Sequence, residues 1–456
     1  MRLTMLGFAI DPLAPDDDDL AILRALAERC PDAQHAPRCA ADLAGRWIMI
    51  ADDGTDLILF HDPCGMRQVY HSTWDSTETW CASQPGRVAG AIQAVVAPVR
   101  REFLRSDYYR GNHESWFPSP TTPWPEVRHL TPNHSLDLRT RTVQRYWPHS
   151  PLRHLEPEEG AHLSAQLLRE SLRAASQRFK LAVPLTAGMD SRTITAATRG
   201  IEDVWHYTLS WPGLDRDSAD LTTPRRVLRR LRRKHHLIDC PTSMTAPFHE
   251  ICKASSTLPS YTTGAMAEGL IPFFPEGHVQ VPGHCSEIIR DSFNVTDRPR
   301  ADAETLADLM GMRGNPFAID HFDIWLDQVR PVAERTGYRE WDLFFMEQEY
   351  GVRAAQNQSR WDLVHEAFTP FNQRGILSAM MGVEPRYRQA PDHAANRRII
   401  EILWPDAVRD AFNAPEKSLG ERSIELCLKM RQHGVRGTIS KGMERLQAQV
   451  AQRSNG

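Results

Sequence analysis

Apolar and polar positions change their period along the chain. Up to about residue 110 the apolar residues come in short extended runs broken by turn residues, as in Gly45 to Ala51, then Asp52-Asp53-Gly54, then Leu57 to His61. Two such runs around an Asp-Asp-Gly corner predict a hairpin. Gln68 to His71 with Thr79 to Ala82 makes a second extended pair, and Arg87 to Val95 has helical spacing. The simplest expectation is an antiparallel, β-rich domain. Between about 113 and 150, proline and aromatic residues concentrate at Trp116-Phe117-Pro118, Pro123-Trp124-Pro125 and Tyr146-Trp147-Pro148. That composition marks a structured connection rather than a flexible linker. From Glu158 the pattern turns helical, with Leu163, Leu167, Leu168 and Leu172, and then runs into the apolar strand Leu181 to Leu185. A helical segment from Thr193 to Arg199 and strands at Val204 to Leu209 and His278 to Val281 follow. Strands alternating with helices predict a doubly wound parallel sheet. Past about 300 the pattern is mostly helical, as in Glu304 to Met312, Trp341 to Ala355 and Arg397 to Leu403. The chain thus divides into 1–112, a connection at 113–156, and 157–456.

Composition narrows the classes. The 456 residues are 41% hydrophobic and 25% charged, which suits two to three globular domains at roughly 100 to 200 residues each. Lys+Arg 54 against Asp+Glu 58 leaves a net charge of −4, so nothing global favours nucleic acid or an anionic membrane. The apolar opening segment runs into Asp11-Pro12 and the acidic run Asp16 to Asp19, too short for a signal h-region, and no apolar run reaches the roughly 18 residues of a membrane span. The expected compartment is the cytoplasm. The cysteines lack CxxC or zinc-ribbon spacing and are expected to be reduced, packed thiols. Lysine is rare: Lys180, Lys234, Lys253, Lys417, Lys429 and Lys441 are all there are.

The most informative stretch is Leu185-Thr186-Ala187-Gly188-Met189-Asp190-Ser191-Arg192, between a predicted strand and a predicted helix. A strand, a turn of small hydroxylated residues and a helix N-terminus together present backbone N–H groups and a positive dipole end to phosphate. Asp190 stands where a carboxylate could hold Mg²⁺ against the phosphates, and Thr186 and Ser191 could donate to phosphate oxygens. A plain strand-to-helix turn with Asp190 or Ser191 as helix cap accounts for the same residues.

This stretch resembles the Ser-Gly-Gly-x-Asp-Ser pyrophosphate loop of the ATP pyrophosphatases, with Thr186 and Ala187 at its first two positions. Its surroundings resemble the asparagine synthetase-like family. Leu43 to Trp47, Asp62 to Tyr70 and Ala82-Ser83 are similar to that family's glutaminase-like domain, and Leu130 to His134 through Arg145-Tyr146-Trp147 to its interdomain turn. Tyr207 to Ser210 with Asp217, Asp220 and His235-His236 resembles the second synthetase strand and the helix after it. Val281 to Ile288 stands in the place of Ser-Gly-Glu-Gly-Ser-Asp-Glu, with Glu287 where the family has its metal-proximal carboxylate, and Glu366 to Asn372 resembles Glu-Ala-Arg-x-Pro-Phe-Leu-Asp.

The resemblance implies an N-terminal β-rich Ntn-type α+β sandwich, followed by an α/β doubly wound ATP pyrophosphatase domain with a helical C-terminal part. A working glutaminase of this family needs cysteine directly after the initiator Met, and here residue 2 is Arg2. The domain is therefore expected to keep its fold and hydrolyse no glutamine, a pattern similar to β-lactam synthetases and lasso-peptide cyclases. The implied activity is an ATP- and Mg²⁺-dependent, AMP-forming amide ligation. Asp190 and Glu287 are implied as Mg²⁺ ligands, with Thr186, Gly188 and Ser191 on pyrophosphate. Leu185, Leu209 and Gly283 would meet the nucleoside through the backbone. Glu366 would orient the acceptor amine or a tyrosine, and Lys417, after Leu403-Trp404-Pro405, is the candidate for the family's late lysine, with Arg397 and Arg398 as other sources of positive charge.

Partners would be a small-molecule or peptide carboxylate and an amine acceptor, with a homodimer or a pathway-partner protein left open and no nucleic acid or membrane. An ammonia-using asparagine synthetase, a tRNA-thiolating enzyme and a catalytically degenerate scaffold are the alternatives. The arginine run from Arg225 to Lys234 has Leu221, Val227, Leu228 and Leu231 as an apolar stripe and reads as a solvated helix face. His235-His236 and His284-Cys285 lack a spaced partner set for a metal.

Overall fold

The computed structural model describes residues 1–73, 78–111, 114–212, 214–255, 261–295 and 300–412. The protein is mixed α/β, with antiparallel sheets first, a parallel sheet later and helices throughout. Strands β1 (Arg2–Ile10), β2 (Ala44–Asp52), β3 (Leu57–His61), β4 (Tyr70–Ser72), β5 (Cys81–Ala82), β6 (Val127–His129), β7 (His134–Asp137) and β8 (Thr142–Arg145) form two antiparallel sheets, ordered β1-β2-β3-β7-β8 and β5-β4-β6. The expected β2–β3 hairpin is present, with Asp52 opposite Leu57 and Ile48 opposite His61. Its corner is built by Asp53, which accepts from the N–H groups of Thr55 and Asp56 at 2.9 and 2.8 Å, and by Gly54 at φ +92°. The second expected pair is β4 with β5. Strands β6 to β8 come from the stretch that reads in sequence as a connection, and β7 and β8 complete the first sheet.

Alternation along β2 buries Trp47, Met49 and Ala51 against Ile22 and Leu26 of the helix Asp19–Arg29. Asp18 caps that helix by accepting from Ala21 N–H at 2.8 Å.

The parallel sheet holds β9 (Lys180–Pro184), β10 (Trp205–Ser210), β11 (His236–Asp239) and β12 (His278–Gln280) in the order β11-β10-β9-β12. The chain therefore winds outward from β9 through β11, then crosses back to place β12 on the other side. Open α/β sheets bind ligands where the winding reverses, beyond the carboxyl ends of the two central strands. Here that point lies between β9 and β12. Strand β11 differs from the sequence expectation, which ran the preceding helix through His235-His236; the Ala219–Arg230 helix ends first, and His236 opens a strand.

The helix Pro157–Arg178 leads into β9. Leu168 and Leu172 face the core as expected, but Leu163 is exposed, and the stripe is completed by Ala161, Ala165 and Ala175. Small residues let it lie close to its neighbours: a Cβ on Gly160 would stand 2.5 Å from Val383 Cγ2. The expected helix from Trp341 to Ala355 is three joined segments, Glu340–Phe344, Phe345–Ala354 with i→i+5 winding, and Ala355–Trp361. One apolar core joins the two regions, since Phe8 and Ile10 of β1 share it with Val183, Leu185 and Ile399. Among the described residues no helix is long and apolar enough to cross a membrane.

Candidate functional site

Buried Leu181, Ala182 and Val183 carry β9 through the sheet and deliver residues 185 to 188 at its carboxyl end, where the helix Met189–Ala197 begins. The turn is held from within. Thr186 N–H donates to Ser191 Oγ at 3.1 Å, the two hydroxyl oxygens lie 3.1 Å apart, and Gly188 N–H donates to Thr186 Oγ1 at 3.2 Å. Ala187 N–H donates to Asp220 Oδ1 at 3.0 Å, so the first turn of the Ala219–Arg230 helix braces the loop from one side. Gly188 sits at the cap position and offers no side chain to the first helical N–H groups, which leaves them for an anion.

The second loop follows β12. Val281 N–H donates to Ala182 O at 2.8 Å, and two residues later Gly283 packs directly on Asp190. A Cβ at Gly283 would lie 2.8 Å from both the carbonyl carbon and the Cβ of Asp190, so only glycine permits this approach. Glu287 is thereby brought to the same end of the sheet. Arg290 bridges the two carboxylates, its Nη2 2.9 Å from Asp190 Oδ2 and 3.5 Å from Glu287 Oε1. Tyr350 donates its hydroxyl to Glu287 Oε2 at 2.7 Å.

This cluster is under-satisfied. Asp190 Oδ1 is buried without a hydrogen-bond partner. Burial raises the Asp190 carboxyl above its usual range, and Glu287 adds to the rise while Arg290 opposes it. Burial and the Glu287 charge likewise push the Tyr350 phenol well above its ordinary value.

A Mg²⁺ ion bound with nucleotide fits this donor set. Such ions commonly take one or two protein carboxylates and complete their shell with phosphate oxygens and water. Asp190 Oδ1 is an unclaimed buried acceptor, and Arg290 already places a positive charge between the two carboxylates. Among the described residues no group of three or more His, Cys, Asp and Glu side chains is placed to hold a metal.

The site also reaches toward the C-terminal part. Fully buried Arg192 donates to Ala187 O at 2.9 Å and to Asp410 O at 2.6 Å, and its guanidinium lies 4.1 Å from the centre of the Phe412 ring. Arg226 and Arg230 from the arginine run pair with Asp410, while Leu221, Val227, Leu228 and Leu231 are buried as expected. A cavity of about 660 Å³ opens beside Arg290, lined also by Met189, His393, Arg397 and Arg409.

Asp190, Thr186, Gly188, Ser191, Gly283 and Glu287 are therefore brought together. Leu185 is adjacent, but its N–H is used by Tyr207 O at 2.8 Å and its carbonyl already accepts from Thr208 Oγ1 at 2.7 Å. Leu209 lies within β10, half-buried and in register with Ile238. Glu366 stands apart from this cluster in its pairing: its carboxylate is held by Arg67 at 2.6 Å and approached by Arg46 at 3.7 Å, both from the N-terminal region. Lys417 lies outside the described residues. Arg397 lines the cavity, and Arg398 pairs with Glu158 at 2.8 Å. Arg290, Arg192 and Asp410 were missed; the only sequence signal for Arg290 was its position three residues after Glu287.

No protein-family model matches the chain, and no curated protein matches it.

Proposed function

We propose that the protein is an ATP-dependent, AMP-forming amide ligase of the asparagine synthetase-like kind, acting without glutamine hydrolysis. The observation that carries this reading is the contact of two loops at the winding reversal of the parallel sheet, which sets Asp190 and Glu287 around one guanidinium beside an uncapped helix N-terminus. The N-terminal sheets then correspond to a degenerate Ntn-type domain and the later sheet to an ATP pyrophosphatase domain.

In this reading the first-turn N–H groups of Met189–Ala197 receive the pyrophosphate portion of ATP. The Thr186 and Ser191 hydroxyls exchange their mutual contact for phosphate oxygens. Mg²⁺, when bound by Asp190 and Glu287, neutralises phosphate charge. A substrate carboxylate oxygen attacks the α-phosphorus and pyrophosphate leaves. An amine then attacks the acyl carbon, AMP departs with the mixed-anhydride oxygen, and the amine loses a proton to give the amide. Arg290 is placed to meet negative charge as it grows on the reacting groups. Arg2 opens β1, 80% exposed and paired with Asp52 at 2.6 Å. Lasso-type or other specialised macrolactam formation is the pathway class we favour, with cytoplasmic location.

Pyrophosphate exchange into ATP tests the reading, using full-length protein, Mg²⁺ and a panel of carboxylates that includes aspartate and short peptides. Exchange that depends on a peptide carboxylate and is lost in Asp190→Asn supports the ligase. Exchange on aspartate alone would instead point to an ammonia-using asparagine synthetase. Absence of both exchange and ATP binding in folded protein would leave a scaffold.

A further inference from the structure

A second cavity, of about 680 Å³, shares no lining residue with the one beside Arg290. Its volume falls in the range of small-molecule sites, roughly 300 to 1,000 Å³. One wall is the strand set β4, β6, β7 and β8, and the other is a single face of the helix Pro316–Thr336, carrying His321, Ile324, Trp325, Gln328 and Val332 at helical spacing.

The lining is positive. Arg128 and Arg145 are its charged residues, and no acidic side chain lines it. Arg145 is committed to a bidentate pair with Glu347, which lies fully buried behind the wall. Arg128 differs: its guanidinium has no hydrogen-bond or ion-pair partner among the described residues. One free guanidinium balances one negative charge, and its planar fork matches a carboxylate.

The histidines add no charge to that balance. Burial holds His71, His129 and His321 below their ordinary value, with Arg128 opposing protonation of His71 and His321. His71 gives its Nδ1 to Ser72 O at 3.0 Å and His321 to Phe317 O at 2.7 Å, so each keeps a lone pair on Nε2. The Nε2 atoms of His71 and His129 are buried with no partner. Those two atoms are closed off from the cavity, so the imidazole open to a ligand N–H or O–H is that of His321. At the mouth the surface turns apolar, with Ile324 52% and Val143 44% exposed.

We infer that this cavity is a binding site, separate from the phosphate loop, for a small monocarboxylate that carries an apolar body and one N–H or O–H donor, such as an apolar amino acid or a hydroxy acid. Its carboxylate meets Arg128, its donor faces the His321 imidazole, and its apolar part lies against Ile324, Trp325 and Val332.

Titration calorimetry on the full-length protein tests this with L-phenylalanine, L-leucine and phenyllactate as probes, and with phenethylamine and inorganic phosphate as contrasts. The expected result is saturable binding of at least one of the three carboxylates and none of either contrast. Arg128→Gln should weaken that binding by about tenfold or more, the loss of a charge-assisted pair. Gln328→Trp, at an exposed position on the rim, should block entry with an unchanged melting temperature. Asp190→Asn should bind as wild type does, which separates this site from the phosphate loop. Failure of all three carboxylates to bind, equal binding of phenethylamine or phosphate, or unchanged affinity in Arg128→Gln would each overturn the inference.

Discussion

Two carboxylate–guanidinium clusters in this molecule, one buried and one open at a loop junction, use the same chemistry to opposite ends. Glu347 is fully buried and completely engaged: Arg145 holds it bidentately, Asn133 Nδ2 donates at 2.6 Å and Trp325 Nε1 at 2.8 Å. Burial opposes its charge, but Arg145 and its other donors prevail and hold the carboxyl below its usual range. Asp190 shares its guanidinium with Glu287, leaves one oxygen unpaired, and is raised instead. A satisfied buried ion pair fixes structure, whereas an unsatisfied one stores a preference for a ligand that completes it. Glu347 joins β8, the turn at Asn133 and two helical segments; Asp190 stands where a sheet reverses its winding.

The sharpest way to break this contrast is to remove each carboxylate. Glu347→Ala takes the carboxylate from half-buried Arg145 and the acceptor from Asn133 and Trp325, and should destabilise the protein by about 3 to 5 kcal/mol, seen as a lower denaturant midpoint. Asp190→Asn should leave the fold intact yet lower pyrophosphate exchange by about a hundredfold or more. Next in size is a pH effect of opposite sign at the two sites. The Asp190 carboxyl is raised above 3.8, so its ionised form works against folding at pH values above the raised folded-state value, and this penalty vanishes as pH falls below 3.8. Asp190→Asn should therefore melt higher than wild type at pH 7, with the gap closing toward pH 4. Glu347 is lowered from 4.5, so its contribution is complete above 4.5 and is lost as pH falls through the lowered value. Thr186→Val should slow exchange by about tenfold, the loss of one hydroxyl donor, and leave the melting temperature within a degree or two. Smallest is Arg398→Gln, which breaks an exposed pair with Glu158 and should leave the melting temperature unchanged.

Features with a local cause were legible in the sequence. The β2–β3 hairpin follows from Asp53 and Gly54, whose side chain and backbone freedom make the corner without help from afar. The loop from Thr186 to Ser191 follows from one strand, one turn and one helix adjacent in the chain. Long-range pairings were not legible. Glu366 reads, through the family resemblance, as a residue that orients an acceptor amine or a tyrosine, and nothing nearby says that Arg67, 299 positions away, will hold it. Arg192 and Asp410 meet across a comparable separation. Strand β11 was hidden for another reason: its four residues follow an arginine-rich helix too closely for a period to establish itself.

Calorimetric titration of ATP with Mg²⁺ into the full-length protein, beside Asp190→Asn, tests the central claim most directly. The account predicts saturable binding by the wild type and its loss in the variant, with both proteins folded. Equal binding by the two proteins, or no binding by folded wild type, would contradict it.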